Sequence, residues 1–157
     1  MIITLDLSAS KTDNDEGVIN HDDKNQYIFP RWKSLPKLNT EALVSADHNA
    51  WFDIYLNARA KKAYVEKLSV LPVGSIIVKP LYPDGQRSEI SKLTIMLKME
   101  KGYDEEHGDW WYGVYDETGM KGSYQGKIKS CIECHTKAKK TDYMFSESVI
   151  EEMNEED

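Results

Sequence analysis

From about residue 50 onward, apolar and polar positions alternate in short runs separated by turn residues. That is the period-two signature of half-buried strands. Trp51-Phe52-Asp53-Ile54-Tyr55-Leu56 predicts a first strand. The spacing then lengthens to four, with Ala60, Tyr64 and Leu68 forming an apolar stripe. A helix over 58–68 follows, capped by Asn57 and carrying Lys61, Lys62, Glu66 and Lys67 on its wet side. Period two returns at 74–82, at 93–100 and at 109–115; in the second of these Leu93, Ile95, Leu97 and Met99 alternate with more polar positions. Pro80 inside the 74–82 run marks an edge or a strand end. The Pro83-Asp84-Gly85 turn and a polar loop over 102–108 join these strands by short connections, which favours an antiparallel meander. A loop punctuated by Gly119, Gly122 and Gly126 comes next, and Ser146 can start a last short helix running to Met153. The expected fold class is α+β, an antiparallel β-sheet with flanking helices, and no internal repeat is visible.

The ends of the chain differ from its middle. Residues 1–26 read as a polar and flexible N-terminal arm, rich in Asp, Asn, Lys and Ser from residue 8 onward. Order is expected to begin at Tyr27-Ile28-Phe29-Pro30, giving one domain over 27–150, and residues 151–157 form an acidic, solvated tail. A chain of 157 residues, 40% hydrophobic and 30% charged, is long enough to bury one core and enclose a ligand. The net charge of −7 argues against nucleic acid as a partner. No apolar run approaches the length of a transmembrane segment. Most of the 4 Trp, 9 Tyr and 3 Phe lie beyond residue 50, where they could wall a flat ligand.

Cys131-Ile132-Glu133-Cys134-His135 changes this picture most. C-x-x-C-H is the attachment signature of a c-type haem. On a helical turn, thiols at i and i+3 share a face and can add to the two vinyl groups of one porphyrin. The next residue brings an imidazole under the iron as proximal ligand. Other readings fit less well. Zinc wants four ligands and this pair supplies two thiolates, in a chain with no further cysteine. A thioredoxin-type redox pair wants a βαβ setting, which the antiparallel flanks do not provide. A structural disulfide stays open. The residues thus point to haem c, covalently held by Cys131 and Cys134 with His135 as the iron ligand. Covalent haem attachment normally takes place outside the cytoplasm, so the expectation is a periplasmic or otherwise exported protein. Residues 1–7 lack the basic start and apolar core of a leader, so the leader is expected to be absent from this chain.

The surroundings of the motif resemble a known family. Gly102-Tyr103-Asp104 leads to Gly108-Asp109-Trp110, then Cys131 to His135, then Asp142-Tyr143-Met144-Phe145. That order resembles the cytochrome P-460 family, with its G-Y-D, G-D-W, C-x-x-C-H and D-Y-V-F blocks; Met144 stands where the last block has valine. His48 followed by Tyr55-Leu56-Asn57 and Ala60, and the strand Gly74-Ser75-Ile76-Ile77-Val78-Lys79, resemble its earlier blocks. The likeness covers roughly residues 27–146. It implies an antiparallel-sheet cytochrome, often a homodimer. Some members oxidise hydroxylamine; the cytochrome c-prime-beta members bind nitric oxide and related gases without that chemistry. The enzymes cross-link a lysine to the porphyrin, and the matching position is Lys79. In a strand, Lys79 shares a face with Ile77 and Leu81. An amine there either loses its proton and becomes a nucleophile or snorkels to water.

The resemblance implies an open distal iron and a small nitrogen-oxide or hydroxylamine ligand, with a redox partner protein as electron acceptor. Three functions follow: hydroxylamine oxidation, gas binding without catalysis, or electron transfer with a methionine as sixth ligand. Met96, Met99, Met120 and Met144 are the formal candidates for that methionine. His48, beside Asp47, and His107 are candidate distal groups, and Glu89 and Glu100 are the nearest carboxylates in sequence to the strands.

Overall fold

The computed structural model describes residue 15, residues 17–45 and residues 48–145. The expected helix from Ser146 and the acidic tail lie outside these residues. The architecture is α+β. A small ribbon pairs β1 (Asn20–His21) with β2 (Tyr27–Ile28). The main sheet contains β3 (Leu43–Ser45), β4 (Ala50–Phe52), β5 (Tyr55–Leu56), β6 (Ile76–Tyr82), β7 (Lys92–Lys98), β8 (Trp110–Tyr115) and β9 (Gly122–Gly126). Its order is β3-β4-β6-β7-β8-β9, with β5 also on β6, and every pairing is antiparallel. Among the described residues two α-helices accompany it, α1 (Ala58–Val65) and α2 (Lys129–His135).

Several elements depart from the sequence expectation for identifiable reasons. Upstream of residue 27, Val18 is fully buried and β1 pairs with β2. The predicted strand over 51–56 is split into β4 and β5, because Asp53 leaves the ladder to become a buried hub. Its carboxylate accepts from Arg87 Nε and Nη2 at 2.8 Å, from Asn39 Nδ2 at 2.9 Å and from the Tyr82 hydroxyl at 2.9 Å. Burial pushes the Asp53 carboxyl up, but these donors outweigh it and hold it below its ordinary range.

The split also explains Pro80, which sits in an interior strand and not at an edge. Its carbonyl accepts from Asp53 N, at the break between β4 and β5. A strand residue points its N and its carbonyl to the same side, so the missing N–H of Pro80 faces that break and costs no ladder bond.

α1 ends three residues before the predicted limit. Lys67 adopts φ 54°, Leu68 N donates to Ala63 O and Lys67 N to Tyr64 O, the paired bonds of a Schellman stop. Leu68 is therefore exposed, and Ala60, Ala63 and Tyr64 form the buried stripe. The start is as expected: the Asn57 side chain accepts from Ala60 N. The glycine-punctuated loop contains a strand the alternation did not reveal, β9.

Alternation divides the sheet's side chains between two cores. Ile76, Val78, Leu93, Ile95, Leu97, Trp111 and Tyr115 pack on one face under Val18, Phe29, Trp32 and Leu35. Ile77, Met96, Trp110 and Tyr112 pack on the other with α1 residues Ala60, Ala63 and Tyr64, and with Cys131 and Ile132 of α2. Strand register aligns the second face into two cross-strand rows: Ile77–Met96–Tyr112 and Lys79–Thr94–Val114. These rows form the floor of the site.

Candidate functional site

α2 lies over that floor, and a cleft of about 290 Å³ separates them. Lys79, Thr94, Met96 and Tyr112 line it from the sheet; Cys131, Cys134 and His135 line it from the helix. A neighbouring cleft of about 200 Å³ shares His48, Lys79, Cys134 and His135 and adds Phe52, Leu81 and Phe145. The C-x-x-C-H residues and Lys79, more than 50 positions apart in sequence, thus meet in one groove.

The histidine is held in one tautomer. His135 Nδ1 lies 2.7 Å from the Tyr143 carbonyl oxygen. A carbonyl only accepts, so in the neutral ring Nδ1 carries the proton and Nε2 the lone pair a metal needs. Tyr112 and Phe145 flank the ring, with centroids at 5.3 and 5.2 Å. Burial pushes the Cys131 thiol up, and a Ser130 hydrogen bond only partly offsets it. Reactive redox pairs depress their thiol pKa instead.

Lys79 is half-buried in an otherwise buried strand. Its amine sits over the Phe52 ring at 5.4 Å from the centroid. Desolvation lowers its pKa from 10.5 to about 8, against a smaller upward pull from Cys134. A sizeable neutral, nucleophilic fraction therefore exists slightly above neutral pH. Between pH 8 and 10.5 the unfolded chain holds a proton that the folded chain has released. Unfolding free energy of the unloaded protein should therefore rise with pH across this window. Lys79→Met should flatten the rise, as read by urea titrations at several pH values; an unchanged slope refutes the assignment.

The other sequence candidates separate. His48 is at the cleft, while Asp47 lies outside the described residues. His107 is elsewhere, paired with Asp104 at 3.0 Å. Glu89 and Glu100 are not among the lining side chains. Met96 belongs to the floor, Met99 packs in the opposite core, Met144 is buried beside Tyr143, and Met120 is exposed. Sequence reading missed Phe52, Thr94 and Tyr112 as site residues. Only the cross-strand register reveals them, since the lining positions of β7 are the more polar half of its alternation.

The sequence profile of Cytochrome P460 matches residues 30–146. The chain belongs to the cytochrome P460 family. No curated protein matches the chain. Members of the cytochrome P460 family are c-type haem iron proteins, and the cofactor is haem c. The residues of the cleft fit that group. Two thiols and an imidazole with its lone pair on Nε2 share one wall. On the sheet side of the cleft, the Tyr112 hydroxyl is buried without a hydrogen-bond partner among the described residues. Burial holds it far above the ordinary tyrosine range, so it stays protonated. Among the described residues, no helix is long and apolar enough to cross a membrane.

Proposed function

We propose that this cytochrome P460 holds its haem through thioether bonds from Cys131 and Cys134, with His135 Nε2 as proximal ligand. It oxidises hydroxylamine or a related small nitrogen compound at the haem. Bound haem supplies an electron sink next to the substrate. The observation that carries the enzymatic reading over simple gas binding is Lys79. A half-buried amine with a pKa near 8 shares the groove with Cys134 and His135, the placement a porphyrin cross-link requires. That His48 lines the same groove supports it as the acceptor of the protons released as the substrate is oxidised. Electrons leave to a partner protein. Export to the periplasm or an equivalent compartment accompanies this reading, since thioether attachment takes place there.

Gas binding in the manner of cytochrome c-prime-beta is the second reading. It is favoured by the largely apolar lining around Ile77, Met96 and Phe52 and by the lack of a carboxylate among the described lining residues. One comparison separates the two. On matured protein, the enzymatic reading expects a strongly red-shifted ferrous Soret band that disappears in Lys79→Ala. Hydroxylamine-dependent reduction of an acceptor dye should be lost with it. An ordinary five-coordinate haem c spectrum, responsive to nitric oxide and unchanged by Lys79→Ala, decides for gas binding.

A further inference from the structure

Lys98 is a buried cation outside the cleft. It ends β7 in register with Trp110 and its side chain is 7% exposed. Its Nζ donates to both Asp142 oxygens at 3.0 and 2.9 Å and to Gly108 O at 2.6 Å. It also lies 4.9 Å from the Trp110 ring centroid. Asp142 is tied from two further sides. Leu71 N donates to its carboxylate at 2.8 Å, and Trp110 Nε1 donates to its carbonyl at 2.9 Å. A buried ion pair of this kind carries a desolvation cost that a well-packed apolar pair would avoid.

What the pair holds is a strained turn. Asp142 and Tyr143 adopt φ 52° and 68°, two successive left-handed conformations at residues with side chains. Such conformations are unfavourable for residues that carry a Cβ. The turn brings the Tyr143 carbonyl back to His135 Nδ1 at 2.7 Å. From Lys98 to the imidazole the path runs through one ion pair, one turn and one hydrogen bond.

We propose that Lys98 and Asp142 are positioning residues for His135. By holding the 142–143 turn they set the hydrogen bond that His135 donates, and through it the electron donation of Nε2. The inference rests on the ligation of iron by His135. A firmly held acceptor at Nδ1 makes the imidazole a stronger donor, which favours ferric over ferrous iron. Release of the turn weakens that donation and favours the ferrous state.

The test uses matured holo-protein carrying Asp142→Asn, Lys98→Met or the apolar pair Lys98→Met/Asp142→Leu, each confirmed as folded by circular dichroism. The apolar pair keeps the test open if the single variants fail to fold. Two readouts are taken, the ferrous iron–histidine stretch by resonance Raman and the ferric/ferrous ratio at a fixed applied potential. The expected result is a lower stretching frequency and a ratio shifted toward ferrous on the order of tenfold. The double variant should regain stability yet keep both shifts. Variants that fold but leave the band and the ratio at wild-type values overturn this inference alone. So does a double variant that recovers both together with stability. Absence of any iron–histidine band in the wild type overturns the ligand assignment as well.

Discussion

Serine at both Cys131 and Cys134 is expected to abolish covalent haem attachment completely. The two side chains lie on one wall of the groove, three residues apart on α2. A serine hydroxyl cannot replace a thiolate in the addition to a vinyl group. Denaturing intact-mass measurement should show the haem mass on the wild type, retain it on each single variant through the remaining thioether, and lose it only in the double variant. Haem that survives acid extraction from the double variant would sink the attachment assignment. The histidine is separable in the same experiment. His135→Ala should keep the mass increment, because the thiols remain, while losing the proximal-ligand spectrum.

The second large effect is on stability. Lys98→Met removes one partner of the buried pair and leaves the Asp142 carboxylate, 5% exposed, with the Leu71 amide as its one donor among the described residues. Breaking a buried pair from one side costs about 3–5 kcal/mol. Domain stabilities are about 5–15 kcal/mol, so this is a large share. Urea unfolding should show a much lower midpoint at unchanged slope. Lys129→Met is the control. Its pairing with Glu133 at 3.7 Å has side-chain exposures of 89% and 66%, and its loss should not move the midpoint measurably. Equal midpoints for the two variants would refute the argument.

The contrast between Lys98 and Lys79 shows how far sequence could be read. Both are lysines on the same sheet face, at alternating positions of neighbouring strands. Period two places each on that face, and the resemblance to the family's glycine-to-lysine strand points to Lys79. Neither reveals that Lys98 meets Asp142, a contact made across 44 residues and dependent on a left-handed turn at non-glycine positions. The C-x-x-C-H motif, the three central strands and the Asn57 cap are local patterns, and they were legible. The break at Asp53, the early stop at Lys67 and strand β9 were not. In each, a tertiary partner or a backbone conformation overrides local propensity. The site floor falls between these cases. Every residue of the row Lys79–Thr94–Val114 sits in a predicted strand, but only the pairing register makes it a row.

The two faces of the sheet are closed in different ways. One is sealed by Val18, Phe29, Trp32 and Leu35 from the chain itself. The other packs on α1 and carries the groove beneath α2, which the cofactor would fill. A reversibly bound ligand stabilises a fold in proportion to the logarithm of its free concentration. A group fixed by bonds to the polypeptide acts at a constant effective concentration that dilution cannot reduce. Under the proposed attachment, haem c would serve this protein as a permanent part of its second hydrophobic core. A compartment poor in free haem would leave the matured fold as stable as one rich in it.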